Sequence, residues 1–295
     1  MSSSSLPFGF KNGVLVHIET VPAGLACGCN CPSCLAPLIA KKGKIKVHHF
    51  AHRSGADCPH GLETVLHLYA KEVLSKANRI HLPALESSFF PKPLRPAATL
   101  QASEAILQKR LSQHVPDLLL LSGGRWYQIE IAVTHFTGPE KIKALAAAGM
   151  PALEIDVQAL AQDMTIYKKP FDRISFERIL LEDTHYKKWL YHPARQSAEA
   201  YIVRNSRQKK VYHRIYHQRH FFNVANCPLR KQVNRSSGSA YADVVQHCMH
   251  CNYCSGIRYQ PAGAPPASLG SKPESLLCWA ENAESMLKKF RMDIL

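Results

Sequence analysis

Residues 114–157 carry the pattern that most constrains the fold, because two strands, a helix and a third strand follow one another there. An apolar run at 117–121 is followed by Ser122-Gly123-Gly124-Arg125, which is typical of a tight hairpin turn. Residues 126–135 then alternate, so that Ile129 and Ile131 lie on one face of a strand and Glu130 on the other. This stretch predicts a β-hairpin at the centre of the domain.

A helix and another strand follow the hairpin. Gly138-Pro139-Glu140 opens the helix with proline in its first turn, and Gly149 closes it. Residues 151–157 form the next predicted strand, so the stretch as a whole indicates an α/β protein.

This hairpin contains two carboxylates, one on each side. Asp117 stands where the first strand begins, and Glu130 lies at the middle of its partner. Carboxylates so placed can face each other across a divalent cation, which hydrolysis of a phosphodiester requires to activate water and stabilise the leaving oxygen.

Pro116-Asp117 followed by Glu130 resembles the signature of the PD-(D/E)XK nuclease superfamily. Upstream residues narrow the resemblance to the competence protein CoiA-like family; they are Cys31-Pro32-Ser33-Cys34, His49-Phe50-Ala51-His52, Glu63, His67 and Lys71. The resemblance covers residues 25–160. It implies a restriction-endonuclease-like core, in the order α-β-β-β-α-β with a mixed sheet. It also implies an Mg²⁺- or Mn²⁺-dependent nuclease acting on incoming or foreign DNA, or a non-catalytic DNA-binding protein of DNA uptake or recombination.

The chain departs from the superfamily pattern at one position. The resemblance places a lysine two residues after the glutamate, and this position is Ala132. Either the lysine has moved to the following helix, where Lys141 lies in the first turn with Lys143 nearby, or the nuclease site is degenerate. The predicted catalytic set is Glu63, Asp117, Glu130 and Lys141, with Asp117 and Glu130 as metal ligands; His135 and Thr134 are neighbours that core packing explains equally well.

The predicted helix 61–77 has Glu63, His67 and Lys71 at a spacing of four residues, which places them in one stripe. A solvated stripe explains this spacing. The resemblance favours Glu63 as a site residue, because the helix before the sheet often contributes a glutamate in this superfamily.

The N-terminal segment combines a Cys-x2-Cys pair, a predicted hairpin and a His-x2-His pair. Zinc takes thiolate and imidazole ligands at such spacings. The predicted ligands are Cys31, Cys34, His49 and His52, with Cys27, Cys29, Cys58 and His60 as alternates. The alternative to zinc binding is that these cysteines are small core residues and that the histidines are structural or contact DNA.

The C-terminal cysteines form a second, zinc-ribbon-like group. Cys248, Cys251 and Cys254 are separated by two residues each, and Cys227-Pro228 lies upstream. Four thiolates suit zinc, and the same layout also matches the ligation of a [4Fe–4S] cluster.

The net charge of +15 favours a polyanionic partner, and we expect DNA. Basic residues cluster at 41–46 and again at 204–219, where tyrosines interleave within residues 194–223, predicted to be one or two basic helices. Contact with a nucleic-acid backbone and a solvated face over an aromatic stripe both explain that segment.

The predicted organisation has five segments, namely a Cys/His module (1–60), the nuclease-like domain (61–160), a basic helical region (161–225), a Cys-rich module (226–260) and a linker with a C-terminal helix (261–295). A strand is predicted at 79–85 as the first of the core, and 99–111 is predicted as a long strand, although its pattern also suits a helix. Further helices are predicted at 175–183, 186–190 and 274–290. With no apolar run long enough for a membrane helix and no signal peptide at the N-terminus, the ten cysteines indicate reduced thiols in the cytoplasm. The sequence leaves open a homo-oligomer and recombination or defence proteins as partners.

Overall fold

A computed structural model describes residues 5–55, 58–90, 92–111, 114–165, 171–260 and 272–292. The chain divides into two compact units. The first comprises Met1–Pro83 and Ala97–Pro193, and the second comprises Ala84–Pro96 and Ala194–Leu295. The five-segment domain division stays a prediction.

The first unit begins with two small hairpins, made by β1 (Phe8–Lys11) with β2 (Val14–His17) and by β3 (Leu38–Lys41) with β4 (His49–His52). Asn12 and Gly13 connect β1 to β2 with positive φ angles of 53° and 78°, which a two-residue hairpin turn of this hand requires. Leu38 and Phe50, which are both fully buried, help to fix the second hairpin in the core.

A long helix and a side sheet follow. The helix is α1 (Gly61–Lys76), and β5 (Arg79–Leu82) pairs with β6 (Ala98–Gln101) in a sheet of two strands. The helix predicted at 61–77 is confirmed. The strand predicted at 79–85 exists but lies outside the central sheet, so its assignment as the first core strand is wrong.

The central sheet has five strands and three helices around it. In chain order these elements are β7 (Glu104–Leu107), β8 (Leu118–Ser122), β9 (Arg125–Ala132), α2 (Pro139–Ala147), β10 (Ala152–Asp156), α3 (Val157–Thr165), α4 (Arg173–Glu182) and β11 (Lys187–Tyr191). The strand order is β11-β10-β9-β8-β7. Only β9 and β10 run parallel, because α2 carries the chain back across the sheet between them, and the sheet is therefore mixed.

The strands of this sheet are covered on both faces. Ile129 and Ile131 of β9 belong to the main hydrophobic core, together with Leu153 and Ile155 of β10. The opposite face carries polar side chains, and Glu130 is buried there all the same. A buried carboxylate on a sheet face is unusual, and such groups often lie at functional sites.

Two local predictions near the sheet need correction. Residues 99–111 form two short strands, β6 and β7, instead of one long strand. Residues 186–190, predicted as a helix, belong to the edge strand β11. Short apolar runs carry too little periodicity to separate strand from helix.

The second unit contains one helix followed by β-structure. Its elements are α5 (Pro193–Asn205), β12 (Arg207–Lys210), β13 (Tyr212–Tyr216), β14 (Arg219–Ala225), β15 (Gln232–Val233), β16 (Ala240–Asp243), β17 (Cys254–Tyr259), β18 (Pro273–Cys278) and α6 (Ala283–Met292). They form a sheet ordered β12-β18-β17 and another ordered β13-β14-β16-β15.

The basic segment 194–223 is therefore helical only as far as Asn205, and the prediction of a helix over its whole length is wrong. The helix predicted at 274–290 gives way to strand β18 in its first part and survives as α6. Most of the predicted linker 260–275 lies outside the described residues. Among the described residues, no helix is long and apolar enough to cross a membrane.

Candidate active site and metal centres

Asp117 lies immediately before β8 and is held by three donors. The Lys71 ammonium is 2.7 Å from Oδ1, while His67 Nε2 at 3.1 Å and the Ile131 amide at 3.0 Å reach Oδ2. Burial alone would raise the pKa of Asp117, but hydrogen bonds from His67 and Lys71 outweigh it and hold this pKa well below its usual range. Asp117 is therefore an anchored, permanently ionised carboxylate at neutral pH.

Glu130 lies in β9 beside Asp117 and is almost fully buried. The Lys141 ammonium lies 2.7 Å from Oε2, and Oε1 has no hydrogen-bond partner among the described residues. Burial raises the pKa of Glu130 to about 7, against the opposing effect of Lys141. Such a carboxylate changes its charge near neutral pH, as groups at functional sites often do.

Glu154 extends these carboxylates into a row across the sheet. Glu154 pairs with Glu130 in the parallel register of β10 and β9, and with Lys188 in the register of β10 and β11. Continuing the register of β8 with β9 by one residue places Asp117 opposite Glu130. We call the three carboxylates Asp117, Glu130 and Glu154 the carboxylate row; Lys188 continues it on β11.

The sequence interpretation missed Glu154, although a signal was present, because an acidic residue stands at the middle of a predicted buried strand. Its side chain is buried, with Oε2 2.7 Å from the Lys188 ammonium and Oε1 accepting a 2.7 Å hydrogen bond from the Thr137 amide. The charge of Glu154 raises the pKa of Glu130 further.

The stripe on α1 faces the row, so it is more than a solvated helix surface. His67 and Lys71 bind Asp117, and Glu63 accepts a short hydrogen bond from Thr134 at the end of β9. The Thr134 hydroxyl also lies 2.8 Å from His135 Nδ1. The hydrogen bond from Thr134 is the main reason that the pKa of Glu63 is lowered.

The two candidate lysines of α2 have different surroundings. Lys141, in the first turn, reaches Glu130, whereas Lys143 pairs at 2.8 Å with the exposed Glu140. Ala132 is buried on the same strand face as Glu130, two residues further along. The ammonium beside Glu130 therefore comes from the helix instead of the strand.

The carboxylate row retains free acceptor positions. A carboxylate offers about four lone-pair sites, of which Asp117 uses three and Glu130 uses one on Oε2. Carboxylate oxygens are what Mg²⁺ and Mn²⁺ take as ligands. Asp117 and Glu130 therefore keep oxygen acceptors of the kind that such cations take as ligands.

A separate cluster of Cys31, Cys34, His52 and Cys58 lies in the N-terminal module. Their ligand atoms all lie within 4.8 Å of one another, with Cys34 Sγ 3.2 Å from His52 Nε2 and Cys31 Sγ 4.0 Å from Cys58 Sγ. Zinc–sulfur bonds of about 2.3 Å in a tetrahedron place sulfur atoms about 3.8 Å apart. This cluster can hold a zinc ion.

The predicted ligand set is corrected at one position, since Cys58 takes the place of His49. His49 and His52 are three residues apart in β4, and an odd spacing in a strand directs side chains to opposite faces. His52 is buried toward the cluster, whereas His49 Nδ1 lies 2.8 Å from the Val47 carbonyl oxygen.

The other alternates do not join this cluster. Cys27 and Cys29 are core residues whose thiols lie 3.4 Å from the carbonyl oxygens of Leu38 and Cys27 respectively. His60 Nδ1 lies 3.1 Å from Glu63.

The predicted C-terminal cysteines are also brought together. Cys227, Cys248, Cys251 and Cys254 all line one cavity of about 30 Å³, and Cys278 joins them there. The sequence interpretation did not include Cys278, which lies far from the Cys-x2-Cys run in the chain.

Residues 27–61 match the family model described as competence protein CoiA, N-terminal domain. This match supports a similarity of the N-terminal segment to the CoiA family. The matched residues include every member of the Cys/His cluster. No curated protein and no solved structure matches the chain.

The cluster predicts which substitutions remove zinc from the N-terminal module. Cys58→Ser should lower the zinc content by about one ion per chain and destabilise the module, because metal binding and folding are coupled at structural zinc sites. His49→Ala should keep the wild-type zinc content. Elemental analysis of the purified variants checks this, with Cys29→Ser as the matched control for losing a buried thiol. Zinc loss from His49→Ala with full retention in Cys58→Ser would contradict the assignment.

Proposed function

We propose that this protein is a divalent-metal-dependent DNA nuclease of the PD-(D/E)XK type, acting on incoming or foreign DNA. The observation that carries the proposal is the pair of Asp117 and Glu130 on adjacent strands, with the Lys141 ammonium 2.7 Å from Glu130. Two acidic ligands and one ammonium are the groups that metal-assisted phosphodiester hydrolysis uses.

The order of elements around the carboxylate row supports the superfamily assignment. Helix α1 precedes strands β7, β8 and β9, and α2 then leads to β10, which gives the order α-β-β-β-α-β in a mixed sheet. The order is that expected from the resemblance, although one inserted pair, β5 and β6, separates α1 from β7.

The residues at and around Asp117 and Glu130 have definable tasks in this proposal. Asp117 and Glu130 would hold Mg²⁺ or Mn²⁺, which when bound supplies an activated water and stabilises the leaving oxygen. Lys71 and His67 fix the orientation of Asp117, and Glu63 lies beside the end of β9. Lys141 favours the ionised form of Glu130 and offers its remaining N–H donors to a phosphate oxygen.

DNA is the proposed partner, and the hairpin of β13 and β14 offers a suitable surface. One face of the hairpin carries, in paired register, Tyr212, Arg214, Tyr216, Arg219 and Phe221; we call this set the hairpin face. Tyr212 and Tyr216 are 51% and 67% exposed, and both arginines are exposed. Exposed aromatic rings beside arginines suit base stacking combined with phosphate contact.

The hairpin face predicts where DNA affinity resides. Arg214→Glu combined with Arg219→Glu should weaken binding to all DNA sequences alike and reduce its dependence on salt, because two phosphate contacts are lost. Arg235→Glu is the matched control, since this arginine is exposed in the same unit and lies outside the hairpin face. Fluorescence anisotropy at several salt concentrations, with Ca²⁺ in place of Mg²⁺, provides the measurement. Unchanged affinity in the arginine variant would remove the hairpin face from the proposal.

The second candidate function is a non-catalytic DNA-binding protein of DNA uptake or recombination. Ala132 favours it, and so does the ion pair of Asp117 with Lys71, which satisfies the carboxylate without a metal. Plasmid, linear and single-stranded DNA incubated with zinc-loaded protein separate the two functions. Cleavage only after addition of Mg²⁺ or Mn²⁺ supports the nuclease, and binding to DNA without cleavage under every condition supports the alternative.

A further inference from the structure

Five thiols, from Cys227, Cys248, Cys251, Cys254 and Cys278, surround one cavity of the second unit. All five cysteines are free of disulfides. The cavity volume of about 30 Å³ has room for one small ion and excludes an organic cofactor. Soft thiolate ligands around so small a space are suited to zinc.

Cys278 is held next to the Cys-x2-Cys run by two strands and a tryptophan. It pairs directly with Cys254 in the antiparallel register of β17 and β18, and side chains opposite each other lie on the same face. The next residue, Trp279, is buried and donates from its amide to the Tyr253 carbonyl oxygen at 3.0 Å and from its indole to the Asn252 carbonyl oxygen at 3.1 Å. These bonds tie the end of β18 to the turn between Cys251 and Cys254.

The cavity walls also carry positive charge. Lys209 and Lys231 line the cavity, and Glu281 shares the Lys209 ammonium at 3.0 Å. Four thiolates around Zn²⁺ leave a net charge of about −2, which nearby ammonium groups offset.

We propose that Cys248, Cys251, Cys254 and Cys278 form a tetrahedral zinc site, and that Cys227 lies beside this site without binding the metal. Tetrahedral zinc takes four of the five thiols. Cys254 and Cys278 face each other on adjacent strands of one sheet, whereas Cys227 follows β14 of the other sheet. No three ligand atoms of this group, all of which the structure describes, come within 4.8 Å of one another. Zinc bound at this site would bring the thiols closer together than they lie here.

Zinc content of the full-length chain tests the site. Wild type should contain about two zinc ions per chain, one in each cluster, and Cys278→Ser should contain about one. Cys227→Ser, the matched control, should keep about two. Full zinc content in Cys278→Ser would overturn the proposal, and so would zinc loss in Cys227→Ser. Iron with acid-labile sulfide in anaerobically purified wild type would also overturn it, in favour of a [4Fe–4S] cluster.

A measurement on the unsubstituted protein tests the ligand assignment without relying on variants that have to fold. Native thiol alkylation followed by mass spectrometry should show Cys278 protected in zinc-loaded protein and modified after chelation. Cys227, which is similarly half-buried, should be modified in both states. Modification of Cys278 at the same rate before and after chelation would overturn the proposal.

Discussion

Lys141→Ala should slow DNA cleavage by on the order of a hundredfold or more, while leaving DNA affinity nearly unchanged. Lys141 is the ammonium that contacts Glu130, and one phosphate contact among many contributes little to binding. Removing it also removes the charge that favours the ionised form of Glu130. The measurement is the single-turnover cleavage rate at saturating Mg²⁺, beside affinity measured in Ca²⁺.

Lys143→Ala is the matched control, because Lys143 lies on the same helix and its ammonium pairs with the exposed Glu140 instead of Glu130. It should cleave at close to the wild-type rate. The pH dependence separates two roles of Lys141. A defect that disappears at high pH means that Lys141 acts through the ionisation of Glu130, and a persistent defect means that it acts on the transition state. Wild-type cleavage by Lys141→Ala would exclude the migrated lysine and turn attention to Lys71 and His135.

Glu130 should make the fold less stable as pH rises. Its pKa is about 7 in the folded chain against an ordinary value of 4.5, so the folded chain binds the additional proton between those values. The free energy of unfolding therefore decreases as pH rises from about 4.5 to about 7. Above about pH 7 the cost of the buried charge reaches about 3 kcal/mol, since one pKa unit corresponds to about 1.4 kcal/mol.

Urea unfolding of zinc-loaded wild type and Glu130→Gln, without added Mg²⁺ or Mn²⁺, measures this cost. The stability of the glutamine variant relative to wild type should rise by about 2.5 kcal/mol between pH 5 and pH 8. Glu140→Gln serves as the control, because Glu140 is exposed and its relative stability should not change with pH in this range. A difference between wild type and Glu130→Gln that does not vary with pH would show that Glu130 is ionised normally.

The parts of the fold with strong local signals follow from the sequence. The turn at Gly123-Gly124, with φ angles of 54° and 73°, and proline at the start of α2 lie where their chemistry predicts. The parallel pairing of β9 and β10 follows from the helix between them. The segment after Asn205 differs, because basic and aromatic residues at mixed spacing suit both a helix and a hairpin, and pairing with β16 and β18 decides for strands.

The candidate sites were predictable to different degrees. Neighbouring cysteines such as Cys31 and Cys34 can be read from the chain, whereas Cys58 and Cys278 come from distant segments that only folding brings near. The choice of His52 over His49 depends on which face of β4 is buried, and two adjacent hairpins determine that face. Glu154 follows from strand register, which a single sequence specifies only weakly.

Cleavage of supercoiled plasmid by wild type and Asp117→Asn, at the same Mn²⁺ concentration, tests the central claim most directly. Asparagine keeps the size of the side chain and removes the charge that would bind the cation. Zinc content and thermal unfolding of both proteins establish that the variant is folded. The proposal predicts nicked or linear plasmid with wild type in Mn²⁺, intact plasmid without it, and a rate at least about a hundredfold lower for Asp117→Asn. Equal cleavage by the two proteins, or no cleavage by either, would contradict a nuclease site at Asp117 and Glu130.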